Sequence, residues 1–125
     1  DSEYSNLNNY SAVIRLVYGK TSFLFSADAE EAVEQKLINS SQVLEADILK
    51  IGHHGSKTST SEEFLAAVNP KIAVISCALG NDYGHPDSIV LERLAERNIK
   101  VYRTDKQGTI SFTSDGKRIL ASKSY

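Results

Sequence analysis

Phe25-Ser26-Ala27-Asp28-Ala29-Glu30, and downstream of it Gly52-His53-His54-Gly55-Ser56, are the stretches that decide how this chain is read. Each begins where an apolar run of strand character ends, and each precedes a stretch with helical spacing. Upstream of the first lie the runs 12–18 and 22–25, separated by Gly19-Lys20-Thr21, which predict a β-hairpin. Downstream, Ala29, Ala32, Val33 and Leu37 form a one-sided apolar stripe with Glu30, Glu31 and Glu34 outside it, which predicts an amphipathic helix over residues 29–38. Residues 46–51 are a short β-type run that leads into Gly52.

The same alternation continues to the C-terminus. Thr60-Ser61-Glu62-Glu63 resembles a capping box ahead of a helix over Phe64, Leu65 and Val68 that Pro70 stops. Residues 71–76 read as a near-continuous apolar strand, the pattern of one covered on both faces. A third helix starts near Pro86-Asp87-Ser88 and ends at Asn98, which tolerates a left-handed C-cap. Residues 99–102 return to strand, and Ser114-Asp115-Gly116 joins a last hairpin. The predicted order is β-β-α-β-α-β-α-β and a hairpin: an α/β class with a mixed sheet and about three helices, its functional residues on strand-end loops.

At 125 residues the chain suits one domain, 1–125, with no internal repeat or linker. A hydrophobic fraction of 41% beside a charged fraction of 24% describes a globular domain rather than a disordered one. No apolar run approaches the roughly 18 residues that span a bilayer, and residues 1–9 carry no signal-peptide core. A formal net charge of -2 gives no general attraction to polyanions, so any nucleic-acid contact is local. The single cysteine, Cys77, follows an apolar run and reads as a small buried side chain.

Each polar position has a plain and a functional reading. Asp28 is either an N-cap or a metal-bridging carboxylate, a hard ligand for divalent ions that activate water. Adjacent histidines on an extended backbone point to opposite sides, so one of His53 and His54 turns into a cleft while the other packs. Ser56, Lys57, Thr58 and Ser59 are either a solvated loop or a phosphate-holding approach to a helix N-terminus. A Walker A loop is excluded, because Gly52 lies too close to Lys57 and Ser56 replaces the second glycine. His85, in Tyr83-Gly84-His85-Pro86, either braces its loop or serves as metal ligand, leaving-group acid or phosphate contact.

Together with Asn8-Asn9-Tyr10-Ser11, residues 46–59, residues 70–76 and Val101-Tyr102-Arg103-Thr104-Asp105, these motifs form a co-linear series from about Asn8 to Ile110. The series resembles the metallo-β-lactamase-like domain of the ComEC family of DNA-uptake competence proteins, in its C-terminal half. The resemblance implies an αββα sandwich in which two zinc or manganese ions activate water against phosphodiesters, DNA during uptake in particular. It implies Asp28 as the bridging aspartate, one of His53 and His54 as a late ligand, and His85 as the histidine of the family's Gly-His-Pro loop; His85 and, from the reading of its own loop, Lys57 are the expected catalytic residues. Asn8 and Asn9, near where other branches place a histidine, and Ser56, Thr58 and Ser59 are expected substrate contacts.

Two departures are visible. Ala27 stands where the family has glycine, and the His-X-Asp-X-Asp-His signature of the preceding half is absent from these residues. The expected ligand set is therefore incomplete, with the other half of the domain as partner, a membrane-embedded neighbour in a longer polypeptide, and self-association through the uncovered sheet surface. An extracytoplasmic location follows if the chain is part of a competence protein; otherwise it is soluble, secreted or cytoplasmic. The competing reading is a non-catalytic interaction module that keeps the half-sandwich.

Overall fold

The computed structural model describes residues 6–122, so the reading of 1–125 as one unit includes termini outside the described residues. Strands β1 (Ile14–Tyr18) and β2 (Thr21–Phe25) form the expected hairpin around Gly19-Lys20. They are followed by α1 (Glu31–Ile38), β3 (Ile48–Lys50), α2 (Glu62–Val68), β4 (Ile72–Ile75), α3 (Ser88–Glu96) and β5 (Lys100–Arg103). Then come a single-turn helix, α4 (Thr104–Gln107), and the hairpin of β6 (Ser111–Ser114) with β7 (Ile119–Ser122). The α/β class, the mixed sheet and the C-terminal hairpin are as the sequence predicts; α4 is an addition, too short to show a helical period.

The main sheet has the order β1-β2-β3-β4-β5, antiparallel at β1-β2 and parallel thereafter. Strands laid down in sequence order, with crossovers of one hand, send every connecting helix to the same face. One core results: Leu24, Leu49, Ile51, Ala73 and Ile75 of the sheet pack on Phe64, Leu65 and Val68 of α2 and on Val90 and Leu94 of α3. The sequence reading of β4 as covered on both faces is corrected here. Ala73 and Ile75 are buried, while Ile72 and Val74 on the other face are only partly so.

That other face carries no helix. The β6-β7 hairpin crosses it obliquely, from Tyr102, whose ring meets Phe112 edge-on at 5.3 Å, to the β1-β2 turn, where Lys20 N–H donates to Gly116 C=O at 2.6 Å. Between them an apolar cavity of about 250 Å³ remains, lined by Phe23, Phe25, Ile48, Val74 and Phe112 with the Lys50 side chain. Edge strand β1 is exposed along its length, with Ile14, Leu16, Val17 and Tyr18 each more than half accessible.

Helix starts differ in detail from the sequence reading. Asp28 is not an N-cap: Glu30 occupies that position of α1, and no side chain bonds there. The capping residue of α2 is Ser61, whose hydroxyl accepts from Phe64 N–H, so the expected box beginning at Thr60 is shifted by one residue and lacks its glutamate. The anchor at this point is instead Glu34 of α1, 1% exposed, whose carboxylate accepts from Thr60 N–H at 2.5 Å and Ser61 N–H at 2.9 Å. Burial pushes the Glu34 carboxyl up, and the Ser61 and Thr60 bonds pull it down, with burial the stronger. Glu34→Ala strands two buried N–H groups and is expected to destabilise the fold by about 3 kcal/mol, read as a lower urea midpoint.

Candidate functional site

The C-terminal ends of the parallel strands open on one edge of the sheet, and the loops after β2, β3 and β4 meet there. In the first, Ala27 takes φ +48° and turns the chain back so that Ala29 N–H reaches Ser26 C=O at 3.0 Å. In the second, Gly52–Gly55 forms a tight turn in which His53 (φ 46°, ψ 44°) and His54 (φ 57°, ψ 20°) are both left-handed. The extended backbone expected for this pair is thus corrected, although the two rings do face different partners.

Backbone bonds lock these loops together. His53 N–H donates to Ala27 C=O at 2.9 Å, Glu31 N–H to Thr58 C=O at 2.9 Å, and Asp87 N–H to Gly55 C=O at 2.9 Å. The glycines permit this approach. A Cβ on Gly52 would lie 2.8 Å from Ala29 C=O, and one on Gly55 would lie 2.7 Å from Pro86 Cβ.

His54 Nδ1 lies 2.7 Å from Ser76 C=O, which can only accept, so this nitrogen carries the proton of the neutral ring. Nε2 is left with its lone pair, 3.5 Å from Asp28 Oδ1. The tether to a backbone carbonyl is how metal-binding imidazoles are commonly oriented. Two donors, each about 2 Å from one ion and set at a tetrahedral angle, stand about 3.3 Å apart, so the observed separation fits a shared ion. Each side chain is about half exposed, 50% for His54 and 49% for Asp28, which leaves the position open to a further component.

His53 faces another carboxylate. Its Nδ1 is 3.3 Å from Glu30 Oε1, an electrostatic contact without hydrogen-bond alignment. Glu30 is held by Asn8 Nδ2 at 2.7 Å and Asn6 Nδ2 at 3.3 Å. Burial pushes its carboxyl up, but those amides, the His53 charge and Thr58 outweigh burial and hold it below the ordinary glutamate range. The His85 ring meets His53 edge-on at 5.6 Å and stacks on Tyr83 at 5.7 Å. Burial, then the His53 and His54 charges, lower its pKa against the opposing pull of Asp87. The loop is held by Asn81, whose amide bonds His85 N–H at 3.1 Å and His85 C=O at 2.6 Å.

Asp28, His53, His54 and His85 therefore share one edge. Asn8 reaches it through Glu30, while Asn9, Lys57 and Thr58 line an adjoining open groove of about 640 Å³ with Glu30 and Glu31. Ser56 and Ser59 are buried: the Ser59 hydroxyl donates to Gly52 C=O at 2.9 Å and Ser56 C=O at 3.0 Å, and the Ser56 hydroxyl pairs with that of Thr58 at 3.0 Å. The sequence reading missed Glu30, although it lies in the same motif two residues from Asp28, and Ser76, whose contribution is a carbonyl and leaves no signal in residue type. Among the described residues no three His, Cys, Asp or Glu side chains converge tightly enough to enclose an ion. Asp28 and His54 fit as two donors of a larger set.

Ala27 adopts a backbone conformation that disfavours a Cβ, which explains why glycine suits this position. Ala27→Gly is expected to stabilise the chain by about 1 kcal/mol, measured by urea denaturation, since relief of the left-handed strain exceeds glycine's added unfolded-state entropy.

Residues 4–78 match the family model of the metallo-beta-lactamase superfamily. The chain is 44% identical over 84% of its length to ComE operon protein 3 of Bacillus subtilis, and 39% over 89% to competence protein ComA of Neisseria gonorrhoeae. It is 41% identical over 82% of its length to Recombination protein 2 of Haemophilus influenzae. It spans only 14%, 16% and 13% of those three proteins, respectively. No helix among the described residues is long and apolar enough to cross a membrane. With a mixed sheet whose strand-end loops bring Asp28 beside His54, the chain belongs to the metallo-β-lactamase superfamily, as a ComEC-family domain.

Proposed function

We propose that this chain contributes Asp28 and His54 to a divalent-metal centre that hydrolyses a phosphodiester, DNA during uptake, with a preceding half of the domain supplying the remaining ligands. The observation that carries the reading is the tethered imidazole: a ring held at Nδ1, its Nε2 lone pair directed beside Asp28 Oδ1 at a two-donor separation. Asp28 and His54 would hold zinc or manganese there, and the ion would supply Lewis-acid activation of a water for attack on a phosphodiester.

The chain's own residues supply the surroundings of that chemistry. Asp28 and His54 hold the open position, and the Glu30 carboxylate lies against His53 Nδ1. The lowered pKa of His85 keeps its ring neutral near pH 7, able to donate one proton or accept another at the leaving group. Lys57, with Thr58 and Asn9 across the groove, offers a cation and polar groups to a phosphate, and Ser56 and Ser59 brace the loop that presents them. The competence name of the Neisseria relative supports an association with DNA uptake, and DNA as substrate and the extracytoplasmic face of a bacterial membrane as the place are proposed on that basis.

Metal analysis and a nuclease assay on the longest natural form, beside Asp28→Ala, test this. The variant is expected to lose metal and at least 100-fold in rate, a loss of order 3 kcal/mol in transition-state stabilisation; unchanged metal content and activity would sink the assignment.

The second reading, a non-catalytic interaction module, rests on the exposed apolar residues of β1. Under either reading the exposed β1 strand and the helix-free sheet face call for a cover, and the isolated chain is proposed to self-associate through them. Size-exclusion chromatography with light scattering is expected to give a mass above one chain that falls in Leu16→Lys; a clean monomer at all concentrations contradicts it.

A further inference from the structure

Arg103-Thr104-Asp105 belongs to the co-linear series of motifs, yet nothing so far gives it a role. It stands where β5 ends and α4 begins, two strands beyond β3, whose following loop carries His54. The β4-β5 ladder stops at the pairing of Ile75 with Arg103. Beyond it the Thr104 side chain takes over: its Oγ1 accepts from Cys77 N–H at 2.9 Å and donates to Cys77 C=O at 2.9 Å. One hydroxyl thus pairs both backbone polar groups of Cys77.

Cys77 N–H and Ser76 C=O are opposite ends of the same peptide unit, which is planar and rigid. Thr104 holds the N–H end, and His54 Nδ1 holds the C=O end at 2.7 Å. Fixing that plane fixes the direction of the carbonyl. Accepting the N–H also polarises the peptide and makes the carbonyl a better acceptor. The position of Thr104 is secured in turn: the Arg103 guanidinium grips the Asp105 carboxylate at 3.0 and 2.7 Å, and Gln107 Oε1 accepts from Arg103 N–H at 2.7 Å. The Cys77 thiol lies against Asp105 as well, and burial, reinforced by that carboxylate, raises its pKa, so the thiol stays protonated and can donate to Asp105.

We propose that Thr104 is a positioning residue for His54: through the Ser76–Cys77 peptide it selects the Nδ1–H tautomer and turns the Nε2 lone pair toward Asp28. The inference rests on the reading of His54 as a metal donor, and it concerns an interaction that exists without metal. The Thr104 hydroxyl bonds Cys77 rather than His54 itself, and so acts through the peptide plane.

The test is the tautomer of His54 in the metal-free chain, read from long-range proton–nitrogen correlations of the imidazoles at a pH of about 8, above the ordinary imidazole range, and assigned by loss of the signal in His54→Gln. Wild type and Thr104→Ser are expected to show the Nδ1–H form. Thr104→Val, which keeps the volume and removes the hydroxyl, is expected to shift toward the Nε2–H form, and Thr104→Ala gives the same reading should valine disturb the fold. A His54 signal that stays Nδ1–H in both the valine and alanine variants overturns the proposal. Zinc titration of the same proteins separates the two layers: a roughly 10-fold loss of affinity is expected on removing such a support. A shifted tautomer with unchanged affinity upholds Thr104 as the positioning residue and removes His54 from the metal set.

Discussion

The hydrogen bond from His53 N–H to Ala27 C=O, at 2.9 Å, is the constraint on which the site depends. It ties the loop after β2 to the loop after β3 where Asp28 and His54 face each other. For the bond to form, the chain must reverse sharply in both loops, hence positive φ at Ala27, His53 and His54, and it must come close, hence no side chain at Gly52. Non-glycine residues in that region are strained and persist only where neighbouring contacts over-determine them. Here those contacts are Ser59 on Gly52 C=O, Thr58 C=O on Glu31 N–H, and Gly55 against Pro86.

The same loops explain why several hydroxyls and the Glu34 carboxylate are buried in this region. Ser56, Ser59, Thr60 and Ser61 follow the histidine turn directly, and Glu34 reaches across from α1 to satisfy two of their N–H groups. An anion of the protein's own thus occupies the start of α2, where an external anion was an alternative reading. The groove toward Lys57 and Asn9 lies outside this braced interior. Rigidity and access are therefore divided between two sides of one loop.

Strand order has its own consequence. Because β2 through β5 follow in sequence with helices on one side, the core is built entirely on that side, and the opposite face depends on a short hairpin that spans it incompletely. The half-exposed apolar row on β1 and the cavity beneath Phe112 are the same feature seen at the edge and in the middle of the sheet. A layered sandwich completes such a sheet with a second layer, which agrees with the superfamily to which the chain belongs.

Element types and their order were legible in the residues, because apolar periodicity and the turn residues at Gly19, Pro70 and Asp115-Gly116 act locally. The grouping of Asp28, His53, His54 and His85 on one edge was also legible, since each follows a strand and parallel strands end on a common side. What the sequence could not express was which partner each group meets. Ser76 orients His54 with a carbonyl that any residue would carry, Glu34 binds a loop 26 positions away, and Ala27 and both histidines adopt a hand that their side chains do not favour. Short-range propensity is written in residue type, whereas backbone hydrogen bonds between distant loops arise only when the packed sheet brings them within 3 Å, and that is where tertiary structure decided the site.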